Sequence, residues 1–179
     1  GGDVSALVTD IADELAAFLE LQGGEGADGA RLLPLLHLGR AHAVLLHLVE
    51  PDAHGPGGGC HPSAVLFPAI LAEAEPIHAS GRAVLDAWIV GYEVMAELVS
   101  RERGSLNATN WHPTGFICTV AGAAAVSHLL GHSADLTQRA MSIAASFGGG
   151  ITANYGTQTK ALHAGRAASS SLQAVKFAQ

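Results

Sequence analysis

Apolar residues recur at three- and four-residue intervals along nearly the whole chain, and glycine- or proline-rich breaks cut that pattern into lengths of one helix each. Such intervals put the apolar side chains on one face of a helix, whereas a half-buried strand would alternate at every second residue. After Asp3, a good N-cap, Val4, Leu7, Val8, Ile11, Leu15, Phe18 and Leu19 form one stripe that stops at Gly23-Gly24. A second helix is expected over residues 31–49, with Pro34 in its first turn, where a missing amide is tolerated. Pro51, Pro56 and Gly57-Gly58-Gly59 make residues 50–60 a loop. Pro62-Ser63 then opens a helix to residue 75, which Pro68 is expected to bend.

Ser80 caps the next helix. Its Val84, Leu85, Trp88, Ile89, Tyr92, Met95, Leu98 and Val99 cover most of the circumference and mark it as the central one. Residues 101–111 are polar and read as a surface connection. The helix from Thr114 is crowded with Ala121, Gly122, Ala123, Ala124 and Ala125, small residues that permit close helix approach, and it ends at Gly131. Ser133 with Asp135 starts another, which stops before Gly148-Gly149-Gly150, and a last helix is expected over residues 162–177. No strand pair with a hairpin turn emerges. The expected fold is all-α: a compact helical array, one domain over residues 1–179, with no internal repeat.

Composition narrows the function. Hydrophobic residues make up 49% and charged residues 14% of the 179 positions, so apolar surface is left over for an oligomeric contact. A formal charge of −7 speaks against non-specific nucleic-acid binding, which depends on a basic surface. No uninterrupted apolar run reaches membrane-spanning length, and no basic segment precedes an apolar one at the start, so no membrane partner and a cytoplasmic location are expected. Cys60 and Cys118 fit neither a metal spacing nor a disulfide framework and read as reduced thiols. His128 and His132 lie four apart, but Gly131 between them ends the helix and no third ligand is near in the pattern, so no metal site is expected.

The chemistry concentrates in three places where a loop meets a helix rich in small residues. Two are His-Pro turns, His61-Pro62-Ser63 and His112-Pro113-Thr114-Gly115. In each, proline fixes the turn and the following hydroxyl is placed to cap the helix, which would hold the imidazole at the helix entrance for acid and base work. The alternative is that His-Pro simply makes a helix-start turn. The third is Thr159-Lys160-Ala161-Leu162-His163-Ala164-Gly165-Arg166, which follows a glycine-rich run. Lys160, His163 and Arg166, spaced three apart, would share one face of a helix's first turns, where the helix dipole already favours an anion. Either an acidic ligand belongs there or the turn is a solvated basic one.

With these motifs in order, and with Gly91-Tyr92-Glu93-Val94-Met95 between them, the chain resembles the MmgE/PrpD family of dehydratases, decarboxylases and epimerases from about residue 32 onward. The resemblance implies the family's helical domain, usually dimeric, and a cofactor-independent site for small di- or tricarboxylates. It implies His61 as a proton-transferring histidine, His112 as a second active-site histidine and Lys160 as the holder of a substrate carboxylate; His163 and Arg166 on the lysine's helix are further candidate substrate contacts. In the family an aspartate-rich loop with a threonine precedes the first His-Pro pair; here the stretch reads Glu50-Pro51-Asp52-Ala53-His54, so Glu50, Asp52 and His54 are the candidate substrate contacts. If Asp52 replaces the aspartate, Ala53 takes the threonine's place and a hydroxyl is lost. Family members also carry further N-terminal helices and a lid-like domain that supplies another lysine, and both are absent from the 179 residues.

Three functions compete. The first is a cofactor-free lyase or isomerase acting on a carboxylate-bearing small molecule, with His61 and His112 as acid and base and Lys160 as anchor. The second is an enzyme of altered reaction, a cyclase or dehydratase, acting on a larger and less charged metabolite in an open apolar pocket. The third is a non-catalytic helical subunit completed by another chain. Accordingly the partners expected are a small-molecule substrate and a second copy of the chain or a different subunit.

Overall fold

The computed structural model describes residues 59–179. Among them six helices follow one another: α1 (Ser63–Ala74), α2 (Gly81–Glu102), α3 (Ser105–Ala108), α4 (Pro113–Leu129), α5 (Ala134–Phe147) and α6 (Gln158–Ala178), with a 3-10 turn at Thr152–Asn154. No strand occurs among the described residues, and an isolated antiparallel bridge joins Trp111 to Ile151. The fold class is all-α. The two helices expected before residue 50 lie outside the described residues.

Local chemistry explains the helix starts. Ser80 Oγ accepts the Ala83 N–H ahead of α2, Ser133 Oγ accepts the Leu136 N–H ahead of α5, and Thr157 Oγ1 accepts the Thr159 N–H ahead of α6. Each hydroxyl satisfies a donor that has no partner within the helix. The Glu102 carboxylate accepts from the Gly104 and Leu106 amides and from Ser105 Oγ, which fastens the one-turn α3 to the end of α2. Because Thr157 is the cap, α6 begins at Gln158 and not at residue 162, which draws Lys160 into its first turn. Helix α1 runs through Pro68 without interruption.

Among the described residues the central helix is α4, not α2. Helix α4 packs against α1, α2, α5 and α6, while α6 also packs against α1 and α5. In α2 only Ala87, Gly91 and Met95 are buried, and Leu85 and Ile89 are 52% and 50% exposed. Apolar residues around most of a helix do not specify which side is inside; close approach does, and α4 supplies it with small side chains. A Cβ on Gly122 would lie 2.3 Å from Ser171 Oγ on α6, and one on Gly91 would lie 2.9 Å from both Ala125 and Leu66. Ser171 Oγ lies 2.8 Å from the Thr119 carbonyl and 2.9 Å from that of Ala167, so its buried hydroxyl is satisfied across the α4–α6 contact.

Candidate active site

The two His-Pro turns meet each other. The His61 amide donates to Thr114 Oγ1 at 3.1 Å, bridging 53 positions of sequence. The expected capping role of Thr114 is therefore corrected: α4 has no side-chain cap at His112, and the hydroxyl serves as a cross-link between the turns. The reason is geometric, since Thr114 is inside the first turn of α4 and faces the start of α1.

A glycine-rich segment then lies across the α4 entrance. The His112 amide donates to the Gly150 carbonyl at 2.9 Å, the Gly149 amide to the Gly115 carbonyl at 3.1 Å, and the Thr152 amide to the Asn110 carbonyl at 3.0 Å. Backbone meets backbone here because side chains are missing: a Cβ on Gly115 would sit 1.9 Å from the Gly149 carbonyl oxygen. Gly150, at φ +117, is the other requirement, since a Cβ there would meet the His163 ring at 2.9 Å.

This packing assembles a row of polar and aromatic groups. His112, only 2% exposed, has its Nδ1 3.0 Å from His163 Nδ1. The Tyr155 ring stands edge-on to His112 with centroids 5.0 Å apart, and Lys160 Nζ lies 5.2 Å above the Tyr155 ring. An ammonium over an aromatic face is held by the ring quadrupole, so Tyr155 positions Lys160 near the imidazoles. Burial, and then the nearby Cys60 sulfur, push the Tyr155 phenol above its ordinary range, which keeps it protonated at neutral pH. Burial lowers His163 below the usual imidazole value, favouring its neutral form.

His112, Lys160 and His163 are thus brought together, and His61 is tied to them through Thr114. Arg166 is not on their face: it is exposed, and its Nε donates to Ser170 Oγ at 3.4 Å. Three steps of 100° leave each such neighbour 60° behind, so two such intervals carry Arg166 about 120° away from Lys160. Glu50, Asp52 and His54 lie outside the described residues. Tyr155 and Cys60 were missed in the sequence because a single aromatic residue and a single thiol in loops carry no periodicity; the glycine run just before Tyr155 was the available signal.

The fold and site define a helical domain with a lysine and clustered histidines gathered at the starts of α4 and α6. The MmgE/PrpD N-terminal domain matches residues 41–179, and the chain belongs to the MmgE/PrpD family. It is 33% identical over 153 residues to the cis-aconitate decarboxylases of Homo sapiens and Mus musculus, covering 82% of this chain and 31% of each relative. A cis-aconitate decarboxylase-like protein of Aspergillus oryzae is 34% identical over 116 residues, 60% of this chain and 24% of that protein. The chain spans about a third of the length of these curated relatives.

Proposed function

We propose that this chain forms the helical part of a dehydratase- or decarboxylase-like lyase that acts on a carboxylate-bearing small molecule without a cofactor. His61 and His112 exchange protons with the substrate, and Lys160 anchors a carboxylate. The observation that carries this reading is the row Lys160, Tyr155, His112, which sets a fixed cation one ring away from a buried imidazole. Loss of a proton or of CO₂ beside a carboxylate leaves an electron pair on carbon, and a preorganised cation lowers the energy of that charge. The same carbon must then be protonated, or a leaving hydroxyl assisted, by a group that titrates near neutrality, which imidazole does. The similarity to cis-aconitate decarboxylases supports the class of reaction. We also propose that the active form is a homodimer or a complex with another chain, in keeping with the apolar composition.

The test uses the full-length protein that carries this domain, offered cis-aconitate and citrate. Lys160→Ala should weaken binding about tenfold or more, the loss of one charge-assisted contact, while His61→Ala and His112→Ala should abolish turnover with helicity retained by circular dichroism. Unchanged turnover in any of these variants rejects the assignment.

A second reading is favoured by Trp111, Ile151 and Leu162, exposed apolar residues flanking His112, Gly150 and His163. They suit a larger, less charged metabolite. Tight citrate binding argues for the first reading, and binding of uncharged cyclic compounds in its place argues for the second.

A further inference from the structure

We propose that His163 is a positioning residue for His112: its Nδ1 accepts a hydrogen bond from His112 Nδ1–H, which makes His112 Nε2 the nitrogen that takes up and returns a proton. The two Nδ1 atoms are 3.0 Å apart, so one proton lies between them and the rings hold opposite tautomers when both are neutral. Two arrangements satisfy that contact, and only one lets His112 carry protons. If His163 donated, His112 Nδ1 would be occupied as an acceptor and Nε2 would already bear the hydrogen, which imidazole does not release near neutral pH. If His163 accepts, His112 keeps the same bond whether Nε2 is bare or protonated, and the bond strengthens when His112 is charged.

The pair is built into the fold at both ends. Gly150 receives the His112 amide through its carbonyl and, lacking a Cβ, leaves room for the His163 ring directly above it. Among the described residues, the titratable groups around the pair include Tyr155 against His112, Lys160 across the Tyr155 ring, and Cys60, which acts electrostatically on Tyr155; the His61 backbone is joined to the α4 entrance through Thr114. Double protonation would set two N–H groups nose to nose at 3.0 Å, so the pair carries at most one charge.

That the pair serves turnover, and which ring donates, both rest on His112 being an acid and base, so tautomer and turnover are measured separately. Histidine-¹⁵N-labelled protein, with the His112 and His163 signals assigned by their loss in His112→Asn and His163→Asn, reports which nitrogen bears hydrogen. The expected result at neutral pH is hydrogen on His112 Nδ1 and on His163 Nε2. Hydrogen on His112 Nε2 with none on Nδ1 in the unmodified protein overturns the proposal, and this measurement needs no variant to fold beyond those used for assignment. His163→Asn, whose amide can take the place of Nδ1, should preserve the His112 tautomer, whereas His163→Leu should release it; a His112 tautomer unchanged in His163→Leu also overturns it. In the active full-length protein, His163→Leu should lower kcat about tenfold or more with KM nearly unchanged, and His163→Asn should recover most of that loss. Absence of turnover in the unmodified protein would remove the proposed function and leave the tautomer result standing.

Discussion

Thr114 shows how much a single hydroxyl does at the residue scale, because its Oγ1 accepts the His61 amide and so ties one helix entrance to the other. Thr114→Val keeps the shape and removes the acceptor, leaving a part-buried amide without that partner. Stability should fall by about 1–3 kcal/mol, read from urea unfolding, and the His61 imidazole should become more mobile. His163 makes the second residue-scale prediction. Its folded pKa lies below the ordinary imidazole value of about 6.5, so at mildly acidic pH the unfolded chain binds more protons than the folded one. The contribution of His163 is therefore full above that value and is lost as pH falls from it towards the folded pKa. Melting temperatures should drop between pH 7.5 and 5.5, and His163→Asn should flatten that drop. The residue types of this site were legible in the sequence, since His61, His112 and Lys160 each sit in a recognisable motif. Their contacts were not: Thr114 looked like a cap, and the meeting of His112 with His163 spans 51 positions.

At the scale of elements, helix starts were the readable part, because Ser80 and Ser133 act through their own neighbours and need nothing distant. Thr157 works the same way, yet the polar Gln158 and Thr159 after it hid the start of α6 from a search for apolar spacing. The glycine segment before that helix is different in kind. Gly149 and Gly150 look like flexible punctuation in the sequence, but they are the surface on which α4 and the His163 ring rest. Gly115→Ala should push the Gly149 carbonyl away, since its Cβ has only 1.9 Å of room against backbone. A loss of about 1–3 kcal/mol is expected from such overpacking, read as a lower melting temperature. The His112–His163 contact should loosen with it, visible as altered ring resonances.

For the whole molecule, the periodic apolar residues and their breaks were enough to determine an all-α fold and, among the described residues, most helix boundaries, because helix formation depends on neighbours three and four residues away. Which helix is central was decided only in three dimensions: large residues ring α2, but close approach needs small ones, and α4 has them. That difference can be read chemically through the thiols. Cys118 lies inside α4 and Cys60 in the loop ahead of α1, at 0% and 1% exposure. A thiol reagent should label both slowly, Cys60 first through local opening at the site and Cys118 only at the rate of global unfolding; equal rates would contradict a central α4. The motifs of the MmgE/PrpD family were likewise written in the sequence, as local strings that any fold would leave intact. The assembly of Lys160, Tyr155, His112 and His163 into one row, and the turning away of Arg166, belong to the tertiary structure. Such proximity depends on how two helix entrances and a glycine segment pack together, and no spacing along the chain encodes it.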